Sequence, residues 1–298
     1  MTEIKQSDLD HWHEHGYVLV ERFLEPAEIE AARENLHQYL PDWDEYQARR
    51  PLFANLGAHG ASGAMGWVRH EFPYVGDALN RVAVHPFLAE FAERLLGHRD
   101  TALSHGAIVG KYAGKGDYEQ ELHMDFTNNT LAYPLSEPRY CDVPMIVYYT
   151  DVTADLGPTY VVSNQLTRDL PPRGQRFYPR ADFPELYEAE QPATVPAGSA
   201  LIYSMRTLHR GSAMRATTGV RFSQFVAFHS AGPRWLGSTS FQGAGGSPEM
   251  DHFLTAATPR ERELVGFPAP GDPYWNAESL AGVGARYPEM DLSPYAPR

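Results

Sequence analysis

The stretch Glu121–Leu122–His123–Met124–Asp125 sets an imidazole and a carboxylate two positions apart. On a strand, residues i and i+2 face the same side, so both side chains can reach one metal ion. Spacing alone decides little, because 13 His in a chain of 298 residues give roughly one His-x-Asp by chance. A second copy, His98–Arg99–Asp100, stands just after Gly97, which reads as a helix stop. It falls in a turn, where i and i+2 no longer share a face. His209, in "SALIYSMRTLHRGS", is the candidate third ligand. Two histidines and one carboxylate leave three positions of an iron ion open, room for a chelating cosubstrate and dioxygen. Zinc suits a closed tetrahedral site better, and one cysteine, Cys141, excludes a thiolate-rich site. Cys141 itself reads as a small strand-edge residue. Twelve positions after His209 comes Arg221, in "TTGVRFSQFVAFH". Alternation sets Arg221, Ser223 and Phe225 on one face, and a guanidinium among aromatics is costly without a partner. Such a group can clamp a carboxylate with two hydrogen bonds. Arg215, in the preceding loop, reads as solvated.

The elements that must position these residues are short β-type runs. "ALSHGAIVGKY", "VPMIVYYTDV", "TYVVS", "SALIYSM" and "VRFSQFVAFH" are separated by Gly/Pro turns with no strong amphipathic helix between them. This predicts a mainly β fold with flanking helices, a cupin-like jelly roll or double-stranded β-helix. His209 is expected to end the strand that follows the turn "VPAGS". The turn Thr217 to Gly219 is expected to return the next strand beside it. Helices are predicted from Pro26, with Ile29, Ala32, Leu36, Tyr39 and Leu40 at helical period, and over 85–96. "HWHEHG" (11–16) reads as a solvated helix end before the strand "YVLVERF", and residues 41–75 as loop. Residues 168–192 carry Arg168, Arg173, Arg176 and Arg180, an insertion read as a solvated loop. Thr258 and Glu261 form a capping box with Pro259 at the first helical position. The chain reads as one domain, 1–298: a helical and loop part to about 100, a β core over about 101–230 and a tail over about 231–298.

Composition narrows the partners. A net charge of −13 argues against nonspecific nucleic-acid or anionic-membrane binding. The first 30 residues hold no signal-peptide h-region, and no apolar run is long enough to span a bilayer. With a single cysteine no intrachain disulfide forms, which fits a cytoplasmic protein. A small-molecule substrate is expected; no obligate protein partner is inferred.

These pieces, in this order and spacing, resemble the phytanoyl-CoA dioxygenase family of iron(II)- and 2-oxoglutarate-dependent oxygenases. "EHGYVLVERFLEPAEIEAARENL" resembles its opening strand and helix, "VHPFLAEFAERLLG" its second helix, and "LHMD" its His-x-Asp motif. "VPMIVYYTDVTADLGPTYVVSNQ" and "VPAGSALIYSMRTLHRGSAMRATTGVRFS" resemble its later strands. The resemblance implies that His123, Asp125 and His209 hold Fe(II) and that Arg221 meets the distal carboxylate of 2-oxoglutarate. It implies a weaker cosubstrate contact for Gln120. The family's Asn-Gly-Pro reads Leu156–Gly157–Pro158 here, and its Pro-Gly-Ser-His reads Val162–Ser163–Asn164–Gln165, departures that bear on substrate. The implied reaction consumes O2 and hydroxylates, or otherwise oxidises, an unactivated C–H bond of a small organic molecule, a secondary-metabolite or lipid-like intermediate. Asp125 speaks against halogenation, since related halogenases carry a small residue there. Asn128, Asn129 and Thr130 are candidate pocket residues. Two rivals remain: a non-catalytic metal-binding jelly roll acting as sensor or binding module, and a metal-free acid/base pair of His123 and Asp125 in a hydrolase or isomerase.

Overall fold

Eleven strands among the described residues form two antiparallel sheets. The computed structural model describes residues 2–48, 67–114, 118–125, 137–170, 177–233, 241 and 247–296. The strands are β1 (Tyr17–Val20), β2 (Trp67–Glu71), β3 (Thr101–Tyr112), β4 (Leu122–His123), β5 (Asp142–Tyr148) and β6 (Thr159–Val161). They continue with β7 (Phe177–Tyr178), β8 (Gln191–Pro192), β9 (Ser199–Tyr203), β10 (His209–Gly211) and β11 (Val220–Ser230). The major sheet runs β1-β9-β5-β11-β3-β2 and the minor sheet β7-β4-β10-β6-β8. From β3 to β6 and again from β8 to β11 consecutive strands alternate between the sheets, the double-stranded β-helix expected from the strand pattern.

Period-2 alternation sorts each major strand into two faces. Ile146 and Tyr148 of β5, Leu201 and Tyr203 of β9 and Phe225 of β11 pack with Val161 of β6 in one cluster between the sheets. The alternate residues, such as Val143, Met145, Val147, Ile202, Phe222 and Phe228, face outward into a larger cluster covered by helices. The helices are α1 (Gln6–His15), α2 (Pro26–Leu36), α3 (Trp43–Ala48), α4 (Ala78–Ala83), α5 (Pro86–Leu96), α6 (Asn164–Thr167) and α7 (Pro184–Ala189). After β11 come α8 (Pro248–Ala256), α9 (Pro259–Leu264) and α10 (Ala277–Arg286). Helix α5 shows why this layer forms. Pro86 opens it, Gly97 in the left-handed region (φ 75°) ends it, and Phe87, Leu88, Phe91 and Leu95 are buried. Each such side chain stabilises the fold by about 1.5–3 kcal/mol.

The C-terminal helices join the same outer layer. Phe253 meets Phe72 edge-on with ring centroids 4.9 Å apart, and Arg260 bonds Glu93 at 2.6 Å and Thr101 at 3.1 Å. The capping box is present, with Glu261 N bonding Thr258 Oγ1 at 3.3 Å and Thr258 N bonding Glu261 Oε2 at 2.6 Å. These described residues form a wall on the far side of the major sheet from the inner cluster.

Two readings of local structure change. Residues 41–75, expected to be loop, contain α3 and the edge strand β2. The strand was hidden because Arg69 and Glu71 are polar: Glu71 is exposed, and Arg69, half-buried, pairs with Val109 in register while its guanidinium bonds Glu71 at 2.5 Å and His105 at 3.0 Å. The segment 168–192 is more than a solvated loop, because it supplies β7, which pairs with β4, and β8, which pairs with β6. In that segment Arg180 stacks on Tyr187 at 4.3 Å, while Arg173 and Arg176 lie outside the described residues. No helix among the described residues is long and apolar enough to cross a membrane.

Candidate active site

His123 and His209 face each other across a register pair of β4 and β10. Their ring centroids are 4.5 Å apart. In each ring Nδ1 lies near a backbone carbonyl: Glu121 O at 2.9 Å for His123 and Thr207 O at 3.0 Å for His209. A carbonyl can only accept, so Nδ1 carries the proton and Nε2 presents a lone pair. Asp125 sits in the turn directly after β4. Its Oδ1 is 4.0 Å from His123 Nε2 and 3.6 Å from His209 Nε2, and the three ligand atoms lie within 4.8 Å of one another. Two ligands bound to one ion at about 2.0–2.2 Å stand up to about 4 Å apart, so these separations suit a chelating set. The donor set of two imidazoles and a carboxylate fits iron(II) and leaves positions for other ligands. Asp125 Oδ2 accepts a hydrogen bond from Tyr203 Oη at 2.9 Å, which turns Oδ1 toward the histidines. Burial, then the Asp125 charge, holds the Tyr203 phenol far above its ordinary range, so it stays a donor.

The chain reaches His209 differently from the expectation. The strand after "VPAGS" ends at Tyr203, and His209 opens a new strand in the other sheet. The crossover is held from the N-terminal segment. Gly16, in the left-handed region (φ 80°), caps α1, and its carbonyl accepts from Ser204 N at 2.8 Å and Thr207 Oγ1 at 2.6 Å. Thr207 O then fixes the His209 tautomer, so "HWHEHG" serves the site through its glycine. Its histidines stand elsewhere: His11 and His15 stack at 4.3 Å, and His15 bonds Ser163 Oγ at 3.0 Å. On the outer face of β10, Arg210 braces the strand, bonding Glu190 at 2.6 and 2.7 Å and stacking over Tyr160 at 4.6 Å.

Arg221 is 2% exposed and faces inward, but β11 pairs with β3 and β5 in the major sheet and not beside His209 as expected. The two meet through the interior instead. Gly211, two beyond His209, pairs with Thr159, and Tyr148 Oη reaches across the sandwich to Thr159 Oγ1 at 3.4 Å. The Arg221 guanidinium lies 6.0 Å from the Tyr148 ring centroid. One Nη donates to Gly157 O, while Nε is buried without a hydrogen-bond partner. Among the described residues no carboxylate comes within ion-pair distance of this guanidinium, and burial pushes its pKa down. A buried cation in this state fits a carboxylate ligand. Gln120 pairs with Gly211, its backbone N donating to Gly211 O at 2.9 Å and its Oε1 accepting from Gly211 N at 2.7 Å. Arg215 is exposed and bonds Glu119 at 2.9 Å, as its loop position implied. Asn128, Asn129 and Thr130 lie outside the described residues.

The chain matches the family model described as "Phytanoyl-CoA dioxygenase (PhyH)" over residues 12–222. The chain belongs to the phytanoyl-CoA dioxygenase family. The match takes in both halves of the His-Asp-His set and Arg221, and the family's enzymes use iron and 2-oxoglutarate. A dioxygenase of Aspergillus aculeatus, aneA, is 25% identical over 215 residues, which span 70% of this chain and 66% of that protein. Solved structures share the fold. The carbocyclase SnoK from nogalamycin biosynthesis has TM-score 0.58 at 17% identity, covering 81% of this chain and 90% of that one. The epimerase SnoN, in complex with Fe3+, alpha ketoglutarate and nogalamycin RO, has TM-score 0.52 at 20% identity, covering 76% and 83%. HygX from Streptomyces hygroscopicus, with nickel, 2-oxoglutarate and hygromycin B bound, has TM-score 0.54 at 14% identity, covering 77% and 88%.

Three groups near the metal set were not found from sequence. Tyr203 was legible in principle, because alternation from Ser199 through Leu201 turns it inward. His105 and Asp142 gave no such signal. His105 accepts from Arg69 at 3.0 Å, and burial with the Arg69 charge lowers its pKa to about 4. Asp142, 2% exposed, accepts from Ser104 Oγ at 3.0 Å, and burial raises its pKa to about 7 from 3.8. In the metal-free protein the folded state therefore holds a proton that the unfolded chain has released between these values. The stability from this group is full below 3.8 and is lost as pH rises through about 7. Asp142→Asn is expected to remove that loss. The difference in urea midpoint between variant and wild type should grow in the variant's favour across this window and level off above it. It is bounded by roughly 1.4 kcal/mol per unit of pKa shift. A pH-independent difference would show that Asp142 does not titrate in this way.

Proposed function

We propose that this chain is an iron(II)- and 2-oxoglutarate-dependent oxygenase acting on a C–H bond of a small organic molecule. His123, Asp125 and His209 would hold the metal, and Arg221 the distal carboxylate of 2-oxoglutarate. Iron(II) with 2-oxoglutarate and O2 supplies oxidative decarboxylation to succinate and CO2, coupled to oxidation of a second substrate. The protein's part is positioning. Two backbone carbonyls orient the imidazoles, Tyr203 turns the Asp125 carboxylate, and Ile146, Leu201, Val161 and Phe225 exclude water from the interior. Gln120 acts through Gly211: it replaces a strand pair and sets the backbone that faces Thr159. The chain works as one oxygenase domain, in keeping with an outer core that takes residues from Ile4 to Tyr295.

The observation that carries this reading is Arg221, a buried guanidinium with no carboxylate partner among the described residues, facing the same interior as the metal set. A metal-binding protein without a cosubstrate has no use for it. Hydroxylation is the proposed outcome, and a secondary-metabolite or lipid-like intermediate the proposed substrate. The likeness to a carbocyclase and an epimerase of nogalamycin biosynthesis supports the class of substrate more than the reaction type. The test is anaerobic iron(II) titration with and without 2-oxoglutarate, followed by visible absorption. The expected result is a metal-to-cosubstrate charge-transfer band that needs both components. Metal uptake without such a band favours the binding-module reading. No metal uptake leaves His123 and Asp125 without an oxygenase role.

A further inference from the structure

We infer that Arg69 anchors the substrate to be oxidised and that this substrate is a small carboxylic acid: its carboxylate meets the Arg69 guanidinium, which His105 positions, and its apolar body lies against Phe177. The inference rests on the oxygenase reading above and names the substrate class. Two arginines mark opposite ends of the inner face. Arg221 and Ala227 share the inward face of β11, and six residues of strand span about 20 Å. At the far end Ala227 pairs with His105. Arg69 pairs with Val109, on the same face of β3 as His105, and its Nη2 donates to His105 Nε2 at 3.0 Å. The metal set lies between these ends. Gly211 and Thr159 link His209 toward Arg221, whereas the charge of Asp125 acts on His105 and Asp142. 2-Oxoglutarate is spent between Arg221 and the metal, so Arg69 is left for the second substrate.

This end of the interior is open. The Arg69 side chain is 31% exposed, and His105 is half-buried. Phe177 pairs with His123 and shares its inward face; its ring meets the imidazole edge-on at 5.8 Å, yet the residue is 38% exposed. An inward aromatic that solvent reaches lines a cavity, not a core. Across the interior Tyr148 of β5 meets Thr159 of β6, and Lys111 of β3 meets Ser212 just past β10. The edge strands β2 and β7 therefore lie on the same side of the metal set. The donors decide the ligand. A guanidinium has five N–H groups; here Nε goes to Glu71 and one N–H of Nη2 to His105. The Glu71 side chain is 52% exposed, and an ion pair this open to water does not consume the cation. A guanidinium can only donate, so His105 accepts as a neutral ring and leaves the charge of Arg69 for an anion. A planar guanidinium takes a carboxylate through two parallel hydrogen bonds.

The test uses 3-phenylpropanoate and its neutral counterpart 3-phenylpropanamide as probes. Each is titrated by calorimetry into the anaerobic iron(II) protein with saturating 2-oxoglutarate, which keeps the acid off Arg221. Wild type is expected to bind the acid about tenfold more tightly than the amide. Arg69→Met should abolish that preference by weakening the acid alone, with the half-saturation of 2-oxoglutarate unchanged. Arg69→Lys should keep part of the preference. Phe177→Ala should weaken both probes alike. Arg215→Met, which alters an exposed arginine elsewhere, should behave as wild type. Equal binding of acid and amide by wild type, binding of neither, or a preference that survives Arg69→Met would overturn the assignment. If Arg69→Met does not fold, Arg69→Gln makes the same comparison. The charge-transfer band of the same samples separates the two failures. A band without a preference for the acid removes this inference alone, and the absence of a band removes the oxygenase reading and this inference with it.

Discussion

His209→Ala is expected to lower iron(II) affinity by more than about a hundredfold. Loss of a group that merely orients a ligand costs 10–100-fold, and His209 is a ligand itself. Its removal leaves His123 and Asp125, a pair that bulk water can outcompete. Nothing else in the described site can take its place. Tyr203 faces the ring at a centroid distance of 4.6 Å, but its phenol is committed to Asp125 and keeps its proton. The metal-free fold should change little, because the ring makes one backbone hydrogen bond and sits at the edge of the apolar cluster. The measurement is thermal unfolding with and without iron(II), since a ligand that binds only the folded state raises its stability by mass action. Wild type should gain stability with metal and the variant should not. His15→Ala, in the histidine-rich opening segment, should respond to metal as wild type does. Equal metal responses in His209→Ala and wild type would refute the metal set.

The reason His15 serves as the control also explains what the sequence could and could not tell. Local signals marked the elements well. Gly97 stopped a helix, Pro86 opened it, and period-2 runs marked β3, β5, β9 and β11. The ligand types were legible too, because His123, Asp125 and His209 carry unusual chemistry in a β context. What local pattern lacked was sheet membership. Whether His209 ends β9 or opens β10 depends on the carbonyl of Gly16, nearly two hundred residues away, and no nearby residue encodes that. Arg221 was placed on the correct face but beside the wrong strand for the same reason: alternation reports which side a residue takes, not which sheet. Strand β2 was missed because Arg69 and Glu71 are charged, one half-buried and one exposed, so the run reads as loop. His105 and Asp142 are polar groups inside a barrel, and a hydrophobicity pattern assigns each to solvent or to a turn.

Arg221→Met is expected to move stability and binding in opposite directions, and that opposition separates a ligand-holding arginine from a structural one. Without cosubstrate the guanidinium carries a desolvation cost that no carboxylate among the described residues offsets. One Nη meets Gly157 O and Nε meets nothing. Methionine has comparable length, fills the space beside Tyr148 and carries no charge. Replacing a buried charge by an apolar side chain of similar volume is neutral or stabilising by about 1–4 kcal/mol. The metal-loaded protein without 2-oxoglutarate should therefore unfold at higher urea concentration in the variant. Binding should suffer in return. A charged partner lost from a buried pair costs about 2–5 kcal/mol, so half-saturation by 2-oxoglutarate should rise by more than about thirtyfold. Saturating 2-oxoglutarate stabilises wild type by mass action and should narrow or reverse the difference in urea midpoint. An arginine that only braced the turn at Gly157 would give another pattern: the variant would unfold earlier in every condition, with cosubstrate affinity changed little. Urea midpoints at zero and saturating 2-oxoglutarate, in wild type and Arg221→Met, distinguish the two, and a loss of stability without a loss of affinity would remove the observation on which the oxygenase reading rests.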